Sequence, residues 1–574
     1  MANVKAKLTQ AGFPFNFSEI AGTVLAASSL DQNLQASGEQ VAMEVPQAYF
    51  MQNVLPVQRG FSSAHFTRVL KPHTYPTYLD KVYTLRDASG SVALFSPAGG
   101  QNLIYTKTTG AWTAFPLVGP LPSAVTVAHL KGVSYVCYAG TGVFVYDFNT
   151  NTFAQVTLLG GVSMLDVLGV CAANQHLLLY TAQYVAWSNP LNPLDFVHVV
   201  GGAGQSSILA NRSEIVVCLP VTEGFIVYTG HNAIFGSYSG NPNVPFYFRE
   251  IPNSAGVEQP EHASSESTGS GHVAWTSSGF MQISAKSAQL IWPELSSAIA
   301  DGLYSTQGSG GYPTVVTKKS LAVKVSTVGA RYYLISVKDS STGVKDYPVA
   351  YVYDVALDRW GRLDIPHIDF FEYRAPEFSV ALTYDAATGT YDEYAGLSYS
   401  NARTAEPDRV ASFGTTFGCV NSLGAVHVVL GSQAKDLDLL ESTTSGAAAS
   451  CIYLGRYRVV RPTAVTWSEL QVATSAADAA CTVFAHDSAG TVTRKLTPTA
   501  SGRMVGKMVG RLTGAHISLK IAGKFLLTSL EFELVDAGSR MQPVVPDALP
   551  PDLVVVADIA VVVDGEYVLQ TGGG

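Results

Sequence analysis

The sequence predicts an all-β fold: a β-propeller body of six blades, preceded by an extended N-terminal arm and followed by a β-sandwich domain. Three observations point to it. Aromatic-rich hairpin units recur every several tens of residues, turn-forming residues are abundant, and helix-period segments are scarce. Hydrophobic residues make up 47% of the 574 and charged residues only 14%, well under the usual quarter, while 52 glycines and 28 prolines supply turns. That much apolar material excludes an unfolded chain. The length exceeds a single core, so at least two domains are expected.

The repeating unit is clearest at residues 133–153, where SYVCY, the turn AGTG, VFVYDF and NTNTF place alternating apolar residues around glycine and asparagine punctuation. A second copy starts at Arg331 with RYYLISV, a polar loop, and then VAYVYDVALDRWGRLDI. Both copies carry Val-Tyr-Asp, at 145–147 and 352–354, followed by an aromatic, Phe153 or Trp360. Weaker members lie at 81–96, 224–240, 272–284 and 380–397. Four-stranded units at this spacing suit a propeller, in which each blade buries its faces only against its neighbours. An elongated stack of sandwiches is the alternative arrangement.

In chain order, residues 1–47 read as an arm that lies on the body or on a neighbour, with PFNFSEI as its anchor. Residues 48–430 hold the blades, with a Ser-, Gly- and Glu-rich loop or insertion at 253–271. One short helix, LSSAIADGL, is expected before the Gly-rich loop QGSGGYP. The stretch KDLDLLESTTSGAAAS opens residues 431–542, whose period-2 strands fit a sandwich of about one hundred residues. Residues 543–574 pair a stiff spacer, PVVPDALPPDL, with a hairpin turning at Asp564-Gly565. An isolated hairpin is barely stable in water, so this one is expected to dock on a neighbouring subunit or partner.

The cysteines at 137, 171, 218, 419, 451 and 481 form neither a CxxC pair nor a dense framework, and most lie in apolar strands. They are expected to be reduced thiols in a protein assembled in a cytoplasm. MANVKAKLTQ lacks the apolar core of a signal peptide, and the longest apolar run, interrupted by Asp558, is too short for a bilayer, so no membrane insertion is expected. The formal charge of −9 is uneven: residues 456–530 hold ten basic and three acidic side chains, a net +7, which leaves −16 elsewhere. Such a basic module can bind a polyanion, dock an acidic face, or simply solvate a surface. Exposed aromatics do not interleave these charges as in a single-strand binder.

Catalytic patterns are missing. Glycosidic hydrolysis commonly needs paired carboxylates, and candidates stand at Asp385, Asp392 and Glu393 and at Asp364, Asp369 and Glu372. In a strand-rich chain such acids more often occupy turns and solvated faces. The sequence has no Gly-x-Ser-x-Gly elbow, no P-loop and no His-Glu-x-x-His motif, and His367 and His486 read as structural. No catalytic residue, metal ligand or cofactor site is therefore assigned. A receptor- or glycan-binding tail protein is the other rival, with Tyr453 and Trp467 as the aromatics that could stack on sugar, although Trp467 reads as core.

Three segments carry a resemblance. QNVLPVQRGFSS, with Asn53, Pro56 and Gly60, resembles the opening of the tail nozzle (tail tubular protein B-like) family of short-tailed, podovirus-type bacteriophages. YVAWSNPLNPLDF, with Trp187, Ser188, Asn189, Pro190, Pro193 and Phe196, resembles that family's most recognisable signature. REIPNSAGV, with Gly256, resembles its following turn. The likeness covers the middle third of the chain and the blade rhythm; the C-terminal hairpin departs from it. The resemblance implies a structural virion protein: a homohexameric ring below the portal and the head-to-tail adaptor ring, in the virion tail, enclosing the channel for DNA ejection. It further implies transient non-specific passage of double-stranded DNA, and leaves open whether tail fibres or a needle dock on the ring. A channel for a polyanion must not hold it, since each neutralised phosphate adds affinity, and a net acidic body is compatible with a low-friction bore.

Overall fold

The structure, a computed structural model, describes most of residues 48–373, residues 417–422 and 425–430, and segments within 3–8, 31–34, 450–536 and 556–570. Among the described residues strands dominate, and the one α-helix, Pro293–Ala300, overlaps the expected LSSAIADGL.

The body is a series of antiparallel meanders. Blade A is Tyr83–Arg86, Val92–Ala98, Gln101–Tyr105 and Trp112–Pro116. Blade B is Val125–Leu130, Val133–Tyr138, Gly142–Asp147 and Thr152–Gln155. Blade C is Val167–Ala173, His176–Thr181, Tyr184–Trp187 and Gly204–Ser207, and blade D is Ile215–Val221, Gly224–Thr229, Ala233–Tyr238 and Phe246–Glu250. Blade E has His272–Thr276, Gly279–Ile283 and Ala288–Leu290; its innermost position is reduced to a bridge, Ala263 to Ala274, reinforced by Ser264 N donating to Val273 O at 3.0 Å. Blade F is Leu321–Val328, Tyr332–Asp339, Val349–Asp354 and Arg359–Leu363. Blade G is Asp369–Glu372, Phe417–Val420 and Val426–Leu430, and its outermost strand, Phe66–Val69, comes from ahead of blade A.

Hydrogen bonds link each blade to the next around a closed circle. Tyr83 Oη donates to Val125 O (2.6 Å), Val170 N to Thr126 Oγ1 (2.8 Å) and Ile215 N to Ala182 O (2.9 Å). His272 Nε2 meets Pro220 O (2.9 Å), Tyr333 Oη donates to Gly271 O (2.9 Å), Lys324 Nζ to Ile368 O (3.3 Å), and Thr84 Oγ1 to Glu372 O (2.8 Å), which returns the circle to blade A. The core is accordingly distributed between blades. Leu85, Phe95, Val136 and Phe144 fill the space between A and B; Leu79, Leu94, Phe371 and Val420 fill that between G and A.

The propeller stands as expected, and among the described residues it has seven blades where six were expected. Five of the six sequence units fall on blades A, B, D, E and F, while 380–397 lies outside the described residues. Blades C and G make up the count. Blade C was met only as the Ser-Asn-Pro signature, and blade G draws its strands from two distant stretches of chain.

Two sheets, with strands from both before and after the ring, build the sandwich. One is ordered Asn3–Leu8, Ser529–Asp536, Val465–Ala473, Arg503–Gly506; the other Asp31–Leu34, Cys451–Val459, His516–Ala522, Ala480–Asp487, Gly490–Leu496, with Ala48–Gln52 also on Cys451–Val459. Two stretches of the expected arm are thus sheet strands, whereas its PFNFSEI anchor lies outside the described residues. In the first sheet Trp467 stands in register with Leu534. The expected terminal hairpin pairs Val563 with Glu566.

Candidate functional site

The resemblance-bearing residues occupy three separate regions, two of them groups and the third Gly256 alone, and each is committed to backbone geometry. Asn53 is buried and left-handed (φ 50°), a conformation its short polar side chain tolerates. Its Oδ1 accepts from Asp364 N at 2.8 Å, which ties the hairpin Val54–Val57/Gly60–Ser63 to the outer edge of blade F. Pro56 sits on that edge, where a Cβ on Gly361 would come within 2.7 Å of its Cδ, and Gly60 closes the hairpin against Val57.

The second region lies on blade C. Trp187 ends the third strand, and its ring covers Gly204, which has no room for a Cβ. Ser188 is fully buried and its Oγ accepts from Leu177 N (2.9 Å). Asn189 Oδ1 accepts from Leu191 N (3.0 Å), and its backbone N donates to Asp195 O (2.8 Å). The Pro190 carbonyl accepts from Lys131 Nζ of blade B, and Pro193 lies in the same loop. Phe196 is buried and donates from its backbone N to Leu159 O (2.7 Å), so the loop straps blade C to the preceding connection. Gly256 belongs to neither group. It crosses the blade D turn so closely that a Cβ would lie 2.2 Å from Gly230 C.

Among the described residues a cluster of charged side chains lies where blades F, G and A meet. Lys324 and Asp369 are both buried and pair at 2.9 Å; Lys81 approaches Asp369 at 3.8 Å and Glu261 approaches Lys324 at 3.6 Å. Ser326 Oγ and Phe370 N also donate to Asp369 Oδ1, at 3.3 and 2.9 Å. Burial opposes ionisation of Asp369, but Lys324, then Lys81, hold it below the ordinary carboxylate value. Two cations facing two carboxylates compensate each other, which suits a seam better than a reaction centre.

The other candidate acids are similarly occupied. Asp364 takes a fork from Arg362 (2.6 and 3.1 Å); burial pushes its carboxyl up while the guanidinium works against that. Glu372 pairs with Arg86 at 3.1 Å. Asp385, Asp392 and Glu393 lie outside the described residues. Nδ1 of buried His367 faces Ile365 O (2.7 Å) and its Nε2 faces Ser336 Oγ (2.8 Å), contacts that a neutral ring satisfies by donating to the carbonyl and accepting from the hydroxyl; burial lowers its pKa to about 4. His272 is alike, at about 4, between Tyr228 Oη and Pro220 O. Cys137, Cys171, Cys218, Cys419 and Cys451 are buried free thiols. Among the described residues no group of three or more His, Cys, Asp or Glu is arranged to hold a metal ion, and no helix is long and apolar enough to cross a membrane.

What sequence reasoning missed is a tyrosine near the end of the second strand in three successive blades: Tyr138, Tyr180 and Tyr228, all buried. The signal was present as VCYAG, LLYTA and IVYTG. In the latter two the next residue, Thr181 or Thr229, accepts backbone N–H groups of the following turn.

No protein-family model matches this chain, and no curated protein matches it. Among solved structures it aligns with the extracellular domain of the "one component system BT4673 from B. thetaiotaomicron" at TM-score 0.33 and 10% identity, over 78% of this chain and 48% of that one. It aligns with a chain of the Mitotic Checkpoint Complex at TM-score 0.30 and 10% identity, over 66% of this chain and 96% of that one. This chain spans about half the length of the first. The propeller is defined by the chain's own strand order and by the closed circle of inter-blade bonds.

Proposed function

We propose that this chain is a structural virion protein that forms the ring-shaped tail nozzle of a short-tailed bacteriophage, below the portal and adaptor and around the DNA ejection channel. The observation that carries this reading is apolar side chains left in water on one side of two adjacent blades. Leu191 is 89% exposed in the loop between the third and fourth strands of blade C, and Tyr238, Val244 and Tyr247 are exposed in and beside the equivalent loop of blade D. Equivalent loops of neighbouring blades lie on the same face of a propeller. A chain with only 14% charged residues that presents such a face is suited to being covered by other subunits. The rigid Ser188–Phe196 loop would hold Leu191 in place for such a contact. In this reading the protein acts without turnover and DNA passes it transiently.

The test is the rotational symmetry of purified protein, alone and with an adaptor ring, in averaged electron images. Six-fold rings are expected. A persistent monomer or a trimer would overturn the proposal, and a fall in polysaccharide viscosity on adding the protein would favour an enzyme.

A further inference from the structure

The innermost strands of blades C and D, Val167–Ala173 and Ile215–Val221, run side by side, and each turns one cysteine towards the other. In blade C, Cys171 pairs across the ladder with Leu178, and both lie with Tyr180 and Trp187 in the core shared with blade D. Val170, Leu177 and Leu179 lie in the core shared with blade B instead. In blade D, Cys218 pairs with Val227, on the face that also carries Phe225, whose ring meets Phe246 at 5.1 Å. Phe246 in turn meets Trp187 of blade C at 5.7 Å, so this face looks at blade C. The two thiols are direct neighbours: a side-chain hydrogen bond joins Cys218 to Cys171, and Cys171 Sγ donates to Ala172 O at 4.0 Å.

Both are free and buried. Cys137 belongs to the core between blades B and C, Cys419 to blade G and Cys451 to the sandwich, so none of these three shares the seam. Burial raises the Cys218 thiol well above its ordinary value, so it holds little thiolate and reacts slowly. A pair of this kind stays reduced through assembly in a cytoplasm.

We propose that Cys171 and Cys218 are a latent inter-blade disulfide, closed by a peroxide once the protein leaves a reducing compartment, which fastens blade C to blade D. One thiol takes a peroxide oxygen as a sulfenic acid and releases water; the other then displaces that oxygen as a second water. Two thiols and one peroxide thus give one S–S bond and two waters, and the two electrons lost by sulfur are gained by the O–O bond. The closed loop restricts the unfolded chain, which raises stability. The inference is independent of the nozzle reading.

Treating the full-length protein with dilute hydrogen peroxide, alkylating the remaining thiols in denaturant and weighing the proteolytic peptides tests this. The expected product joins 171 to 218, is two hydrogens lighter than the free pair and separates on reduction, with Cys137 and Cys419 alkylated. The unfolding midpoint of the oxidised chain should rise by several degrees and return when reductant is added. Cys218→Ala should abolish both link and shift, whereas Cys137→Ala should keep them. Because burial slows entry of the oxidant, refolding in a mixture of oxidised and reduced glutathione forms a second arm. There two thiols and one glutathione disulfide yield the bond and two glutathione thiols, and the same 171–218 link is expected. Alkylation of both cysteines in both arms, separate sulfinic acids on the two, or a link to Cys137 would overturn the proposal. None of these readouts depends on ring symmetry, so failure here leaves the nozzle reading intact.

Discussion

Asp354 is fully buried and makes four bonds: Oδ1 accepts from Ala356 N (3.0 Å) and Leu357 N (3.2 Å), and Oδ2 from Arg331 Nε (3.0 Å) and a terminal guanidinium nitrogen (2.7 Å). Asp147, its counterpart in blade B, accepts from Asn149 N and Thr150 N in water. In both blades the preceding tyrosine reaches a left-handed residue five positions on, Tyr146 to Asn151 and Tyr353 to Asp358, each at 2.6 Å. This is why the Val-Tyr-Asp repeat was legible: each residue of the turn has a local partner, so the pattern survives in sequence. What the repeat could not disclose was burial, which depends on distant packing. Asp354→Ala is expected to cost about 2–3 kcal/mol in urea denaturation because it strands two amides and a guanidinium, whereas Asp147→Ala, at a turn open to water, should shift the midpoint far less. The buried imidazoles give a second residue-scale prediction. His272 and His367 titrate near 4 when folded and near 6.5 when unfolded, so the unfolded chain binds more protons between those values. Stability should be fully present above pH 6.5 and fall as pH drops towards 4, by at most on the order of 3 kcal/mol per histidine. A denaturation midpoint constant from pH 7 to 5 would contradict this.

At the scale of elements, the hairpin Val54–Val57/Gly60–Ser63 is held to blade F largely through closeness of backbone. A Cβ at Gly361 would stand 2.5 Å from Val54 O and 3.2 Å from Leu55 Cα, and neither atom can rotate away. Gly361→Ala is therefore expected to destabilise the protein by about 1–3 kcal/mol. Amide exchange should localise the loss to 54–63, with blades B to D unaffected; uniform loosening would indicate a different cause. Elements whose strands follow one another in sequence were readable, because alternation and turn chemistry recur within a few tens of residues. In blade E the hairpin His272–Thr276/Gly279–Ile283 was readable, but the third strand, Ala288–Leu290, lay beyond the unit read, and the innermost position is a single bridge at Ala263 inside a polar stretch that resembles a loop. Blade G could not be assembled by local reading, since Phe66–Val69 pairs with Val426–Leu430 far along the chain. For the same reason the signature residues could be named while their roles, a blade F anchor and a blade C strap, could not.

For the whole molecule, the decisive junction is the one between blades G and A. Lys324, Asp369, Lys81 and Glu261 meet beside it, and Thr84 and Arg86 of blade A both bond Glu372 of blade G. Lys324→Met would leave Asp369 buried with only the more distant Lys81, at an expected cost of about 3 kcal/mol. If the ring is one cooperative unit, calorimetry should show that loss as a lowered single transition for residues 48–430; an unshifted midpoint would mean the junction contributes little. The junction also sets a timetable. Phe66–Val69 leaves the ribosome early, yet its partner, Val426–Leu430, follows only after all the other blades. At typical elongation rates of about 5–20 residues per second that is a wait of roughly 20–70 s, during which a hydrogen-bonding edge of the nascent chain is unsatisfied and open to capture by chaperones or by sister polypeptides on the same messenger.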